Sequence, residues 1–287
     1  MNRATTSRRR GATAVALTGV LVVLAGCGGA DSESSSAAAP IGAALPPASA
    51  ALPPAESTTV DPRVDDRARL TTAQALALSQ MLLKNEQAKG AVAEMVVPFG
   101  SAATFTLRGP VDWAGDQASF VLSTARSDGV PVADTGVIWD RGSLLTEVVG
   151  LEKAMEAKGR SGVTFVQRAL NPRAVSLDQL VAFVGSLAVD RAENPILLRQ
   201  GDTAFLGSRT FDGAALDGYR FGKTRYWIDP SSGLLRRIEA RFARYDEPVV
   251  FTLTGHGPQT IALPQESAVV DASTITDVMA TLAAPTP

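Results

Sequence analysis

Five short stretches of strand character follow one another at 92–97, 103–107, 118–124, 135–139 and 144–148, each cut from the next by Gly, Pro or Asp. Connections of that length cannot return a chain for parallel pairing, so the stretches must lie antiparallel as a meander. A second series, 204–211, 216–221, 225–229, 234–245 and 249–254, resumes after a helical interval. Its clearest unit is YRFGKTRYWIDPSSGLLRRIEARF, where Tyr226 and Ile228, then Leu234, Ile238 and Phe242, have strand character on either side of Asp229-Pro230-Ser231-Ser232-Gly233. Pro and Gly at those offsets predict a hairpin turn, and the flanking alternation predicts one buried face.

Helices accompany the strands. In TTAQALALSQMLLKNEQAKG, Thr71 with Gln74 fits a capping box, Leu78, Met81 and Leu82 share one face, and Lys89-Gly90 suits the end. In SLDQLVAFVGSLAVD, Ser176 with Gln179 fits the same box, and Leu177, Leu180, Val184 and Leu187 recur at helical spacing. A shorter helix is expected over 151–157, and no internal repeat is evident. The fold class that follows is α+β, a curved antiparallel sheet backed by a few helices.

The N-terminus places the chain in the cell. Arg3 and Arg8-Arg9-Arg10 precede an uncharged apolar run over 12–24, too short to span a bilayer comfortably, which closes on Leu24-Ala25-Gly26-Cys27. That order of charge, apolar run, small residues and cysteine is similar to a bacterial lipobox. Residues 1–26 are therefore expected to be a lipoprotein signal peptide, with Cys27 the site of lipid attachment at the extracytoplasmic face of the cell membrane. Cys27 is the chain's single cysteine, so a disulfide within the chain is excluded and the acylated sulfur is withdrawn from thiol chemistry.

Residues 27–68 comprise the acylated cysteine and a flexible Ala/Ser/Pro-rich tether, whose composition cannot offset the entropy of ordering. About 40 such residues reach on the order of 35 Å. The folded domain is expected over 69–264, with a C-terminal tail at 265–287. Four of the 27 basic residues lie in 1–26, which leaves 23 against 29 acidic ones and a net charge of −6 after cleavage. A nucleic-acid or anionic-headgroup partner is disfavoured by that balance.

Residues able to carry chemistry are sparse. His256, the single histidine, lies in TGHGPQ without a cysteine or carboxylate pair at ligand spacing, and reads as a turn residue. No Gly-x-Ser-x-Gly elbow accompanies it. Asp65-Asp66 fall at the tether boundary, and Glu239 with Asp246-Glu247 alternates with arginines on a solvated strand face. Trp113, Trp139 and Trp227 lie in or beside strands, where packing is the default role. With few titratable groups in site-like contexts, an apolar cavity is the feature most able to carry function.

Taken together, the lipobox, the helix after the tether, the meander, the helix at Ser176 and the hairpin from Tyr226-Trp227-Ile228-Asp229-Pro230 to Gly233-Leu234 resemble the actinobacterial LppX/LprG lipoproteins, which share the half-barrel fold of the LolA carriers. The resemblance implies a U-shaped half-barrel with helices on its concave face, no cofactor and no enzyme activity. It implies binding of an acylated lipid or glycolipid in a cavity between sheet and helices, and its carriage or presentation in the envelope. Candidate lining residues are Leu78, Met81, Leu82, Leu177, Leu180, Val181, Val184, Trp139 and Trp227, and the expected volume is several hundred Å³. The alternative is a non-enzymatic envelope sensor or interaction module of the same fold, whose partner would be a transporter or regulatory membrane protein.

Overall fold

A computed structural model describes residues 70–283 apart from Arg244 and Asp246, with the backbone alone at Ala283. The signal segment, Cys27, the tether and Asp65-Asp66 lie outside the described residues. The described part begins with helix α1 (Thr72–Ala88) and six strands, β1 (Gly90–Phe99), β2 (Ala103–Asp112), β3 (Gln117–Arg126), β4 (Thr135–Asp140), β5 (Ser143–Glu147) and β6 (Phe165–Ala169), with the short α2 (Leu151–Glu156) before β6. Two helices, α3 (Ser176–Gly185) and α4 (Pro195–Gln200), lead to β7 (Thr203–Phe211), β8 (Ala214–Phe221), β9 (Thr224–Ile228), β10 (Leu235–Ala240) and β11 (Val249–Thr254). The described part closes with β12 (Val269–Asp271) and α5 (Thr276–Ala283).

The twelve strands among the described residues join one open sheet in the order β12-β6-β5-β4-β3-β2-β1-β11-β10-β9-β8-β7. Every neighbouring pair is antiparallel except β12 with β6. This is the expected α+β half-barrel. Pairing of β1 with β11 joins the two meanders, so β6 and β7, consecutive strands, stand near opposite edges. The chain crosses between them through α3 and α4, and that crossing fills the concave side.

Local chemistry explains the best-formed elements. The capping box of α1 is present, with the Gln74 amide donating to Thr71 Oγ1 at 3.2 Å and the Thr71 amide to Gln74 Oε1 at 2.9 Å. In the β9–β10 turn, Asp229 Oδ1 accepts from the Ser231 amide at 2.8 Å and the Ser231 hydroxyl at 2.6 Å. Those bonds hold the Asp229 carboxyl below the usual range, and Gly233 closes the turn by donating to the Asp229 carbonyl at 2.7 Å.

Several elements differ from expectation. Helix α3 starts one residue early: its N-cap is Val175, and Ser176 is the first helical residue. Strand β10 stops at Ala240 instead of running to 245, because Phe242 folds inward, with its ring centroid 5.4 Å from Phe183 and 6.1 Å from Phe251. Strand β6 and helix α4 are additional. The segment after Pro264 docks: β12 pairs with β6, and Val270, Ile275 and Val278 pack with Leu151, Met155, Val163 and Val166 in a second, smaller core.

Candidate functional site: the inner face of the half-barrel

Strand alternation sends one side of each strand inward. Ala91, Ala93, Met95, Ile238, Phe251 and Leu253 are wholly enclosed there, in one core with residues of α1 and α3. Burying each large side chain contributes roughly 1.5–3 kcal/mol, so this face is the main source of cohesion.

Helix α1 brings Leu78, Met81 and Leu82 together, as its spacing predicts, and with Leu198, Phe221 and Tyr226 they line a cavity. Ser79 and Glu193 complete the wall, with the Glu193 amide donating to the Ser79 carbonyl at 3.0 Å. Burial pushes the Tyr226 phenol up to about 12, so it stays protonated at physiological pH. The cavity volume is about 10 Å³, the threshold for a single water. An open chamber of several hundred Å³ is not what the inner face holds at this site. It is filled by side chains.

The α3 candidates are part of that filling. Leu180, Val181 and Val184 are fully buried, and Leu177 packs partly buried on the same core. Trp139 joins them from β4, its ring so close to α3 that a Cβ at Gly185 would stand 2.6 Å from ring atom Cη2. Trp113 donates its indole N–H to the Val184 carbonyl at 3.1 Å, and Asn85 donates from Nδ2 to the Leu187 carbonyl at 2.8 Å, tying the end of α3 to the residue after β2 and the chain just beyond α3 to α1. These residues plug the groove.

Trp227 departs further from expectation. Tyr226 and Ile228 belong to the inner core and Trp227 does not, because adjacent residues on a strand face opposite ways. It is buried on the outer face, under Phe211.

The inner rim has an ionic lock that hydropathy does not announce. Arg168 of β6 makes a bidentate bond to Asp178 of α3, at 2.5 and 2.6 Å, and the Asn171 amide donates to the same carboxylate at 2.6 Å. His256 is half-buried beside the β9–β10 turn, and burial followed by the charge of Arg236 lowers its pKa, against the opposing pull of the Leu235 backbone and Asp229.

No protein-family profile matches the chain, and no curated protein matches it. Among solved structures, LprF from Mycobacterium bovis is similar with a TM-score of 0.40 at 14% identity, over 69% of this chain and 98% of that one. An uncharacterized conserved protein from Thermus thermophilus gives 0.36 at 8%, over 70% and 99%. A chain of the Pseudomonas aeruginosa MucA/MucB complex gives 0.30 at 16%, over 67% and 58%. Likeness at these levels assigns no family and no activity.

Sequence reasoning left out Leu198 and Phe221 of the cavity wall. A signal for α4 was present: Asn194 caps it by accepting from the Ile196 amide at 2.9 Å, and Pro195 occupies its first turn. No helix among the described residues is long and apolar enough to cross a membrane.

Proposed function

We propose that the chain is a non-enzymatic binding module, held at the extracytoplasmic face of the membrane by acyl chains on Cys27. The observation that carries this reading is the inner face, a largely apolar layer closed by α1 and α3. Such a layer either opens to enclose an apolar ligand or holds the sheet rigid for contacts on its outside, and it offers no group to make or break bonds.

Two kinds of ligand remain open to a module of this design. Carriage of an acylated lipid or glycolipid requires space, so α1 and α4 would have to part from the sheet around Leu78, Met81 and Leu82. Presentation of a rigid surface to an envelope protein, a transporter or a regulator, requires no such movement. The packed groove favours the second.

The deciding experiment is native mass spectrometry of residues 27–287 carrying Cys27→Ala, exported without the 1–26 segment and purified without detergent from a host with a comparable envelope. A near-stoichiometric lipid mass that disappears in a folded Leu82→Trp variant makes the protein a carrier. A ligand-free protein that retains a membrane protein on co-purification after delipidation makes it a partner-binding module. Neither lipid nor partner overturns the reading.

A further inference from the structure

The outer face of β7 to β10 carries a second constellation, unrelated to the groove. Trp227 is only 1% exposed, and Gly218 opposite it in β8 makes this possible, since a Cβ there would fall 2.5 Å from the indole ring. Phe211 at the end of β7 covers the indole edge-on, with centroids 4.7 Å apart. Two guanidinium groups lie over these rings: Arg209 is 5.6 Å from the Trp227 ring centroid, and Arg237 is 4.8 Å from that of Phe211. Arg237 also stands directly across from Trp227 in the β9–β10 register, beside the pair Arg225 and Glu239.

The charges on this surface do not balance. Glu239 accepts from Arg237 Nε at 3.2 Å and from Arg225 Nη1 at 3.3 Å, so one carboxylate answers two cations. Arg209 is exposed and has no acidic partner among the described residues. Three arginines against one glutamate leave a surplus of two positive charges, in a chain whose overall charge is −2. Stacking on a ring holds a guanidinium in a fixed plane, which lowers the entropy lost when its N–H fork meets an oxyanion. Among the described residues β7 is moreover an edge of the sheet, with Ser208, Arg209 and Thr210 exposed along it.

We propose that this arginine platform and the free edge of β7 form a docking site for an acidic, extended segment of a partner protein. The segment adds a strand beside β7 and sets its carboxylates against Arg209 of β7 and Arg237, whose guanidinium lies over Phe211 of β7, while Arg225, on β9, adds only its longer-range charge. This rests on the reading of the chain as a binding module and names the surface and the partner chemistry.

Anionic lipid headgroups are the other polyanion within reach of an anchored protein, and two observations favour the peptide. The aromatic rings of the platform are covered by guanidinium groups and leave no apolar wedge to enter a bilayer. The net negative charge of the chain opposes an extended anionic plane, whereas a short segment senses mainly charges within about 10 Å at 0.1 M salt.

The test is fluorescence anisotropy with residues 27–287 carrying Cys27→Ala and a short labelled peptide of alternating Glu and Val. The expected result is saturable binding that weakens as salt rises, no binding of the matching Lys-Val peptide, and poorer binding of an acidic peptide interrupted by prolines. Arg209→Glu and Arg237→Glu are each expected to weaken binding about tenfold or more. Arg209→Gln, at an exposed site, gives an intermediate loss and guards against misfolding of the reversal variants. Absence of acidic-peptide binding at low salt, or equal binding by wild type and Arg209→Glu, overturns the proposal. So does binding of phosphatidylglycerol vesicles with no binding of the peptide. A lipid-loaded protein that ignores the peptide overturns the platform alone, and a protein with neither lipid, partner nor peptide overturns the module reading as well.

Discussion

At the scale of single residues, the consequential groups are polar ones whose partners lie far off in sequence. Asp178 is completely enclosed, and Arg168 across the groove is its counter-charge. Arg168→Ala strands that carboxylate and is expected to cost about 3–5 kcal/mol, whereas the double replacement Arg168→Met with Asp178→Leu recovers most of the loss. Urea midpoints of the single and double variants measure the difference. His256 makes a separate contribution with a defined sign. Its folded-state pKa is below the ordinary value, so the unfolded chain binds the proton more readily, and protonation opposes folding. The stability involved is fully present above the unfolded value near 6.5 and is lost as pH falls through the lower folded value. Thermal unfolding between about pH 7.5 and 5 should show a falling midpoint that His256→Gln flattens. The depressed carboxyls Asp229, Asp271 and Asp277 lose their contribution at lower pH still, and so do not obscure this window.

At the scale of elements, legibility followed periodicity. Helix α1 was readable because its cap and apolar face are local, and the meanders because their connections are short. Strand β6 was not, because Arg168 points inward where alternation asks for an apolar side chain, and only the distant Asp178 makes that acceptable. The tail was opaque for a similar reason: β12 has three residues and acquires its pairing from β6. Ending the chain after Pro264 uncovers Leu151, Met155 and Val166 and removes the ion pair of Lys158 with Asp277. At roughly 1.5–3 kcal/mol for each large side chain, a loss of several kcal/mol is expected, read as a lowered thermal midpoint and rapid proteolysis within 151–169. The contact of α3 with Trp139 is equally specific. Gly185→Ala forces a methyl into the indole and should lower the urea midpoint by about 1–3 kcal/mol, and a compensating Trp139→Phe should restore part of it.

For the molecule as a whole, stability should be graded from the centre of the sheet to its edges. Strands β1, β10 and β11 contribute the completely enclosed Ala91, Met95, Leu235, Ile238, Val249 and Phe251, whereas β7 and β12 each have one side unpaired among the described residues. Amide exchange is expected to be slowest across β1, β10 and β11 and fastest at the outer ends of β7 and β12; uniform protection would contradict this gradient. By itself, the sequence determined the class of fold, the capping of α1, the antiparallel meanders, the hairpin turn at Asp229 and the expectation of a lipid anchor at Cys27, because each depends on residues a few positions apart. Tertiary structure alone decided whether the concave groove is empty or filled. That outcome depends on how closely Trp139, Val184 and α1 approach, over distances that no local pattern encodes. It likewise decided that Trp227 faces outward beneath Arg209, because strand register, and not residue type, assigns a side chain to one face of a sheet or the other.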